Sequence, residues 1–308
     1  MQTIPLVDVR AEYEPLIPRL EAAFREVLDG KAFIRGPNYW AFQEEAAAYL
    51  GVKRTIGVAN GTDALVLALE ALGVGPGDEV ICPAFTFYAT AESVVRRGAT
   101  PVFAEIDPVT LNLDLEDAAA KVTDRTRAII PVHLFGRMMD VRPLVALGVP
   151  VLEDAAQAFG APEVAQHGAI STFSFYPTKN LFCLGDGGLV ATNDDELAER
   201  VKLLSFHGSK DKQDFDLVGY NSRLDELQAA VLRVLLPHLD EWSDARRAAA
   251  AHYAAAGIAQ HVGVTAPTAG AMPAWHLYVI THPQADELLE ALARAGVQAR
   301  GYYRTPLH

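Results

Sequence analysis

The chain has 308 residues, half of them hydrophobic and 21% charged, enough for one large domain with its own core and a smaller second one. A net charge of −13, with no run of Lys and Arg, excludes a nucleic-acid surface, and no apolar stretch is long enough to span a bilayer. Cys82 and Cys183 are too few for a disulfide framework or a cysteine zinc site, and MQTIPLVDVRAEYEPL lacks the basic start and apolar run of a signal peptide, so a soluble, cytoplasmic protein is expected.

From about residue 55 the pattern alternates. TIGVAN reads as a strand and TDALVLALEALG as an amphipathic helix capped near Thr62 or Asp63. After the turn GVGPGDEV come a strand (VICPAF), a helix (FYATAESVVRRG), a strand (TPVFAEI), a helix (LEDAAAKV) and two further strands, RAIIPVHL and VPVLED. The alternation predicts an α/β fold with a mainly parallel sheet covered by helices on both faces. Sites in such sheets lie beyond the carboxyl ends of the strands, where Asn60, His133 and Asp154 fall. An aromatic strand-like run then ends at Lys179 and enters a glycine-rich turn and the strand GLVAT. The helix DDELAERVKLL opens on three acidic residues that suit its positive end. RLDELQAAVLRVLL is a second helix, broken at Pro237, followed by a helix from Leu239 to about Ala256, the strand-like HLYVIT and the helix ADELLEALARAG. The expected boundaries are 1–236 for the large domain and 237–308 for a small C-terminal one that reads as incomplete.

Four segments carry polar groups suited to chemistry, each with an ordinary structural alternative. ANGTDAL puts Asn-Gly-Thr between a strand and a helix, where backbone amides bind phosphate, although any capped helix after a tight turn looks the same. PAFTFYAT offers Phe85, Phe87 and Tyr88 to stack on a planar ring or to fill a core. VLEDAAQAFGA carries Glu153 and Asp154 at a strand end, fit to keep a ring nitrogen protonated or to cap a helix, with Gln157 one turn further on. FSFYPTKN contains Ser174, a phosphate donor, and Lys179, a Schiff-base former or an ordinary turn lysine. Phosphate donors, a stacking ring, a carboxylate and a lysine are together the parts that hold pyridoxal 5′-phosphate (PLP).

Across nearly its whole length the sequence resembles the DegT/DnrJ/EryC1/StrS family of PLP-dependent sugar aminotransferases. The match runs from IPLVDVRAEYEPL and FIRGPNYWAFQEEAAAYLGV through GVANGTDALVLALEALGVGPGDEVICPAFTFYATAESV, EDAAQAFGA and FSFYPTKNLFCLGDGGLVAT to GYNSRLDELQAAVL. The resemblance implies fold type I of the PLP-dependent transferases and an obligate homodimer with shared active sites. It makes Lys179 the Schiff-base lysine, Asp154 the partner of the pyridine nitrogen, Gln157 that of the ring hydroxyl and Phe87 the stacking aromatic. Gly61, Thr62, Asp63 and Ser174 would hold the phosphate, and Asn221 would reach it from the neighbouring subunit. Implied substrates are L-glutamate and a nucleotide-linked 3- or 4-keto sugar, with ping-pong kinetics. The chain departs from the family's pattern in a shortened segment after FGAPEVAQHGA, in GRMMD where GQ is common, and in ending at PLH, a motif that in the family lies near the substrate. A dehydratase on the same scaffold carries histidine in place of the lysine, a non-catalytic or regulatory homologue would have lost Lys179 or Asp154, and a cyclitol or amino-shikimate-type aminotransferase would share the chemistry.

Overall fold

The computed structural model describes residues 3–268 and 270–308. Seven strands build the central sheet: β1 (Arg54–Val58), β2 (Glu79–Pro83), β3 (Thr100–Ala104), β4 (Thr126–Ile129), β5 (Leu152–Asp154), β6 (Ile170–Ser174) and β7 (Gly188–Thr192). They form two ladders, β3-β2-β4 and β5-β6-β7-β1. Parallel bridges at Ile129–Val151 and Val132–Asp154 join the ladders, with the Asp154 N–H donating to the Pro131 carbonyl at 2.9 Å. The order is therefore β3-β2-β4-β5-β6-β7-β1, with β7 antiparallel to both neighbours and all other pairs parallel. The predicted strand RAIIPVHL stops at Ile129 because Pro131, which has no N–H, cannot continue the ladder.

Strands β2 and β7 are buried along their whole length, as expected of a sheet covered on both faces. Successive side chains point to opposite faces. Leu189 and Ala191 of β7 join one core with Phe42, Phe173 and Leu232, while Val190 joins the other with Ile56, Val58 and Leu67. The helix Gly61–Ala71 is buried almost throughout, which accounts for its unbroken apolar composition. It starts earlier than expected: Asn60, in extended conformation, is the N-cap, and its side chain accepts the Asp63 N–H at 2.8 Å. On the opposite layer the helices Ile17–Gly30 and Pro37–Leu50 pack against Glu226–Leu235. The buried Glu226 carboxylate accepts the N–H groups of Asn38 and Tyr39 at 2.7 and 3.0 Å, placing a negative charge at the positive end of Pro37–Leu50.

In HLYVIT only β9 (Ile280–Thr281) pairs, with β8 (Gly263–Val264). The residues before it bond instead to the loop after β4: the Ala274 N–H donates to the Gly136 carbonyl and that of Leu277 to the Phe135 carbonyl. Tyr302 and Tyr303 pack with Phe85 and Phe135, so the end of the chain folds back over the sheet's carboxyl edge. Among the described residues no helix is long and apolar enough to cross a membrane.

Candidate active site

Because β1 and β6 are both antiparallel to β7, they run in the same direction, and the carboxyl ends of β1, β2, β5 and β6 share one edge of the sheet. Asn60, Asp154 and Ser174 stand at those ends. The start of the helix that follows β1 is pressed close to β6 and β7: a Cβ on Gly61 would lie 2.7 Å from Ser174 Cβ, and one on Gly188 would meet Asn60 backbone atoms at 2.4 Å. Only hydrogen at these positions lets the helix N-terminus sit against the serine. The first-turn N–H groups of Asp63 and Ala64 are taken by Asn60. Those of Gly61 and Thr62 have no acceptor among the described residues, and face the same half-buried region as Ser174.

Glu153 and Asp154 are neighbours on β5 and point to opposite faces. Glu153 is locked into the core, accepting from the Gly168 N–H at 2.7 Å and hydrogen-bonded to His133 Nε2 at 2.8 Å. Both residues of that pair serve the packing, so His133, at a strand end, is not part of the site. Asp154 faces the other way, accepting from the Thr90 hydroxyl at 2.9 Å and the Ala156 N–H at 3.2 Å. Burial pushes its carboxyl above the usual range, and the hydrogen bonds and the charge of Lys179 only partly offset this.

Lys179 follows the turn Tyr176–Lys179, closed by its own N–H on the Tyr176 carbonyl at 2.8 Å. Its side chain is half-buried, and desolvation pushes the ammonium down to about 8 against the attraction of Asp154. Among the described residues Lys179 and Asp154 form no direct ion pair. They are close enough for the charge of each to act on the other.

Gln157 is buried, its Oε1 accepting the Phe135 N–H at 2.5 Å and its Nε2 lying 3.5 Å from the Tyr303 hydroxyl. Phe87 is 56% exposed, its ring 6.3 Å from that of Tyr303. Asn221 is exposed and sits in an antiparallel bridge with Phe206, while the hydroxyl of its neighbour Ser222 accepts the Ala59 N–H at 3.2 Å. The chain end arrives at the same edge: the Leu307 N–H donates to the Ala84 carbonyl at 2.8 Å, and the His308 ring lies 6.3 Å from Phe103.

Three residues enter the site that the sequence did not single out. Thr90 binds Asp154. Tyr303 packs among Phe85, Phe87 and Phe135, and burial pushes its phenol up to about 12. His276 is buried and kept neutral by desolvation and by the positive charges of Lys179 and Arg246. Only Thr90 had a local signal, lying three residues beyond Phe87 at a strand-to-helix junction. Tyr303 and His276 come from the distant C-terminal segment.

A match to the DegT/DnrJ/EryC1/StrS aminotransferase family covers residues 17–308. The chain belongs to this family. Over 99% of its length it is 47% identical to a protein of Geobacillus stearothermophilus named a pleiotropic regulatory protein, covering 85% of that relative. Again over 99% of its length, it is 43% identical to the dTDP-3-amino-3,4,6-trideoxy-alpha-D-glucose transaminase of Streptomyces venezuelae, covering 83% of it. Among solved structures, DesV of S. venezuelae, in complex with a ketimine intermediate, superposes on the whole chain with a TM-score of 0.97 at 42% identity, covering 85% of that protein. NtdA of Bacillus subtilis, solved with bound cofactor PMP, superposes on the whole chain with a TM-score of 0.92 at 30% identity, covering 74% of NtdA. The fold is thus that of the family's PLP-dependent aminotransferases, with the mostly parallel sheet expected from the βα alternation.

Proposed function

We propose that the protein transfers an amino group from L-glutamate to the keto group of a nucleotide-linked sugar, with PLP as cofactor. The observation that carries this reading is that Lys179, its ammonium pushed down to about 8, lies near enough to feel the charge of the buried Asp154 carboxyl, which forms no ion pair among the described residues. PLP, when bound, supplies the aldehyde that takes up the amino group and a ring that withdraws electrons from the carbon losing its proton. The residues present fit it. The N–H groups of Gly61 and Thr62 and the Ser174 hydroxyl are donors for a phosphate at a helix N-terminus, while Asp63, in the same first turn, has its own N–H engaged by Asn60 and would have to release it to donate as well. Asp154 would keep a proton on the ring nitrogen, which would relieve the cost of its own burial, and Gln157 Nε2, now 3.5 Å from the Tyr303 hydroxyl, would donate to the ring hydroxyl oxygen. Phe87, 56% exposed, would stack on the ring. Lys179 Nζ, once neutral, takes and returns the proton that moves during transfer.

The site is completed in a homodimer, with Asn221 reaching the neighbour's phosphate. Large apolar side chains left uncovered support that reading: Phe87, Tyr88, Tyr176, Phe215 and Val218 are 53 to 90% exposed. A second reading, a regulatory homologue, is suggested by the name of the Geobacillus relative, a pleiotropic regulatory protein, although Lys179 and Asp154, whose loss would mark such a protein, are both present.

The test is the visible spectrum of the PLP-loaded protein before and after L-glutamate, followed by amination of nucleotide-linked 3- and 4-keto sugars read by mass spectrometry. The lysine-bound cofactor's visible band should fade with glutamate and return with the acceptor, and Lys179→Ala should abolish turnover. A folded, PLP-loaded protein whose band responds to no amino donor sinks the aminotransferase reading and leaves the regulatory one.

A further inference from the structure

The segment before β9 is held against the site from three sides. The Ala274 N–H donates to the Gly136 carbonyl at 2.8 Å and the Leu277 N–H to the Phe135 carbonyl at 3.4 Å. Asn180, next to Lys179 in the chain, donates from Nδ2 to the Ala274 carbonyl at 2.7 Å. Arg246 Nη1 lies 3.4 Å from the His276 carbonyl and 3.5 Å from that of Trp275, while its Nη2 donates to Glu12 at 2.8 Å. Trp275 and Phe135, on the two sides of this clamp, are held at φ of 49° and 58°. Bulky residues adopt that region only where their surroundings impose it, and such strain gathers at functional sites.

The clamp buries two acceptors without using them. Asn180 is 2% and His276 6% exposed, and Asn180 Oδ1 and His276 Nδ1 have no hydrogen-bond partner among the described residues. Leaving buried polar atoms unpaired is costly, so their retention calls for a reason. Both belong to the surroundings of Lys179. Asn180 is its neighbour in the chain, and desolvation, with the positive charges of Lys179 and Arg246, keeps the His276 ring neutral. A neutral ring carries one lone-pair nitrogen, and two nearby cations favour turning that lone pair toward them. The function proposed above needs Lys179 in two places, with Nζ bonded to the cofactor at rest and released while the amino group travels. A released amine away from water requires a hydrogen-bond acceptor. Asp154, the one anion whose charge acts on Lys179, would then be engaged by the ring nitrogen.

We propose that His276 Nδ1 and Asn180 Oδ1 form the resting place of the Lys179 amine during the part of the cycle in which Nζ is free of the cofactor. This rests on the reading of Lys179 as the cofactor's lysine and deepens it. Nζ donates to the two acceptors, and both are uncharged. A carboxylate in their place would hold the ammonium too firmly for it to return. No covalent bond is made or broken in this step, since Nζ only changes acceptors. His276 and Asn180 are positioning residues that act through Lys179.

The experiment uses the full chain, cofactor-free or loaded with pyridoxamine phosphate, the form of the cofactor that leaves the lysine amine free. Trace acetylation of Lys179 is quantified by mass spectrometry in wild type, His276→Phe, His276→Leu and His276→Gln. With pyridoxamine phosphate bound, the amine should be labelled about tenfold more slowly in wild type than in His276→Phe, the worth of about one hydrogen bond. Its labelling midpoint should also lie higher in wild type, because an acceptor favours the ammonium. His276→Gln, which keeps an acceptor, should fall between the two, and the cofactor-free proteins should label alike. His276→Leu serves where the larger ring of Phe prevents folding. Equal protection in folded, loaded wild type and variants overturns the resting place. So does faster labelling of a cofactor-free variant, since the ring then shields the amine by packing alone. Loss of pyridoxamine phosphate binding in the variants overturns it as well, since His276 then supports the cofactor. Protection lost in the variants of a protein that responds to no amino donor supports the resting place and overturns the proposed function. Transamination with Lys179 labelled alike in wild type and variants overturns the resting place and leaves the function standing.

Discussion

Lys179 should titrate as an amine far more reactive than an ordinary lysine even before any cofactor binds. Desolvation pushes it from 10.5 down to about 8, opposed only by the attraction of Asp154. At pH 7 about one molecule in eleven then carries a neutral Nζ, against about one in three thousand for an unperturbed lysine, a gain of about 300-fold. The assay is competitive trace acetylation of cofactor-free protein from pH 6 to 11, with free Nα-acetyl-lysine as internal standard and the Lys179 peptide quantified by mass spectrometry. Its labelling should rise with a midpoint near pH 8. Asp154→Asn removes the one charge that opposes desolvation and should move the midpoint lower still. Because the folded pKa lies below the unfolded one, the unfolded chain binds the extra proton between about pH 8 and 10.5. On this group's account, stability is flat below that window and rises with pH across it. A midpoint at or above pH 10, or an upward move in Asp154→Asn, would refute the claim that burial governs this amine.

Gly61→Ala should cost about 1–3 kcal/mol in urea unfolding and weaken PLP retention, because the new methyl meets Ser174 Cβ at 2.7 Å; adding Ser174→Gly should recover part of the stability, and a neutral Gly61→Ala would show that the helix start and the end of β6 are less tightly apposed. Arg137, from the unusual GRMMD, is fully buried with Nε and Nη1 unpartnered and only Nη2 donating, to the Thr265 hydroxyl. Arg137→Met should therefore leave stability unchanged or raise it by about 1–4 kcal/mol in the same assay. A large loss would mean that its contacts with Phe135 and Trp275, at 5.7 and 5.9 Å, outweigh the cost of burying the charge.

Local pattern alone was enough for much of this molecule. Strands and helices from 54 to 204 were legible because period-2 and period-3.6 apolar spacing directly records which faces are covered. The motifs ANGTDAL, EDAAQ and FSFYPTKN each kept their chemistry-bearing residues within a few positions, so Asp154, Ser174 and Lys179 were readable as a set. What sequence order does not encode is which strand ends share an edge. The antiparallel setting of β7 between β6 and β1 brings Gly61 against Ser174, 113 positions away in the chain. The separation of Glu153, bound to His133, from Asp154, bound to Thr90, likewise follows from the register of a sheet that joins three segments. The strand expected at HLYVIT shrank to two paired residues because its first half is drawn to the loop after β4, bringing His276 beside Lys179. The pair of buried acceptors on Asn180 and His276 belongs to the same class. No window of sequence contains it, and it exists because tertiary packing draws residues 274–277 onto the turn that carries Lys179. Short-range physics determined the elements and the chemistry-bearing residues they carry, and the long-range closure of the sheet decided which of those groups are brought to one edge.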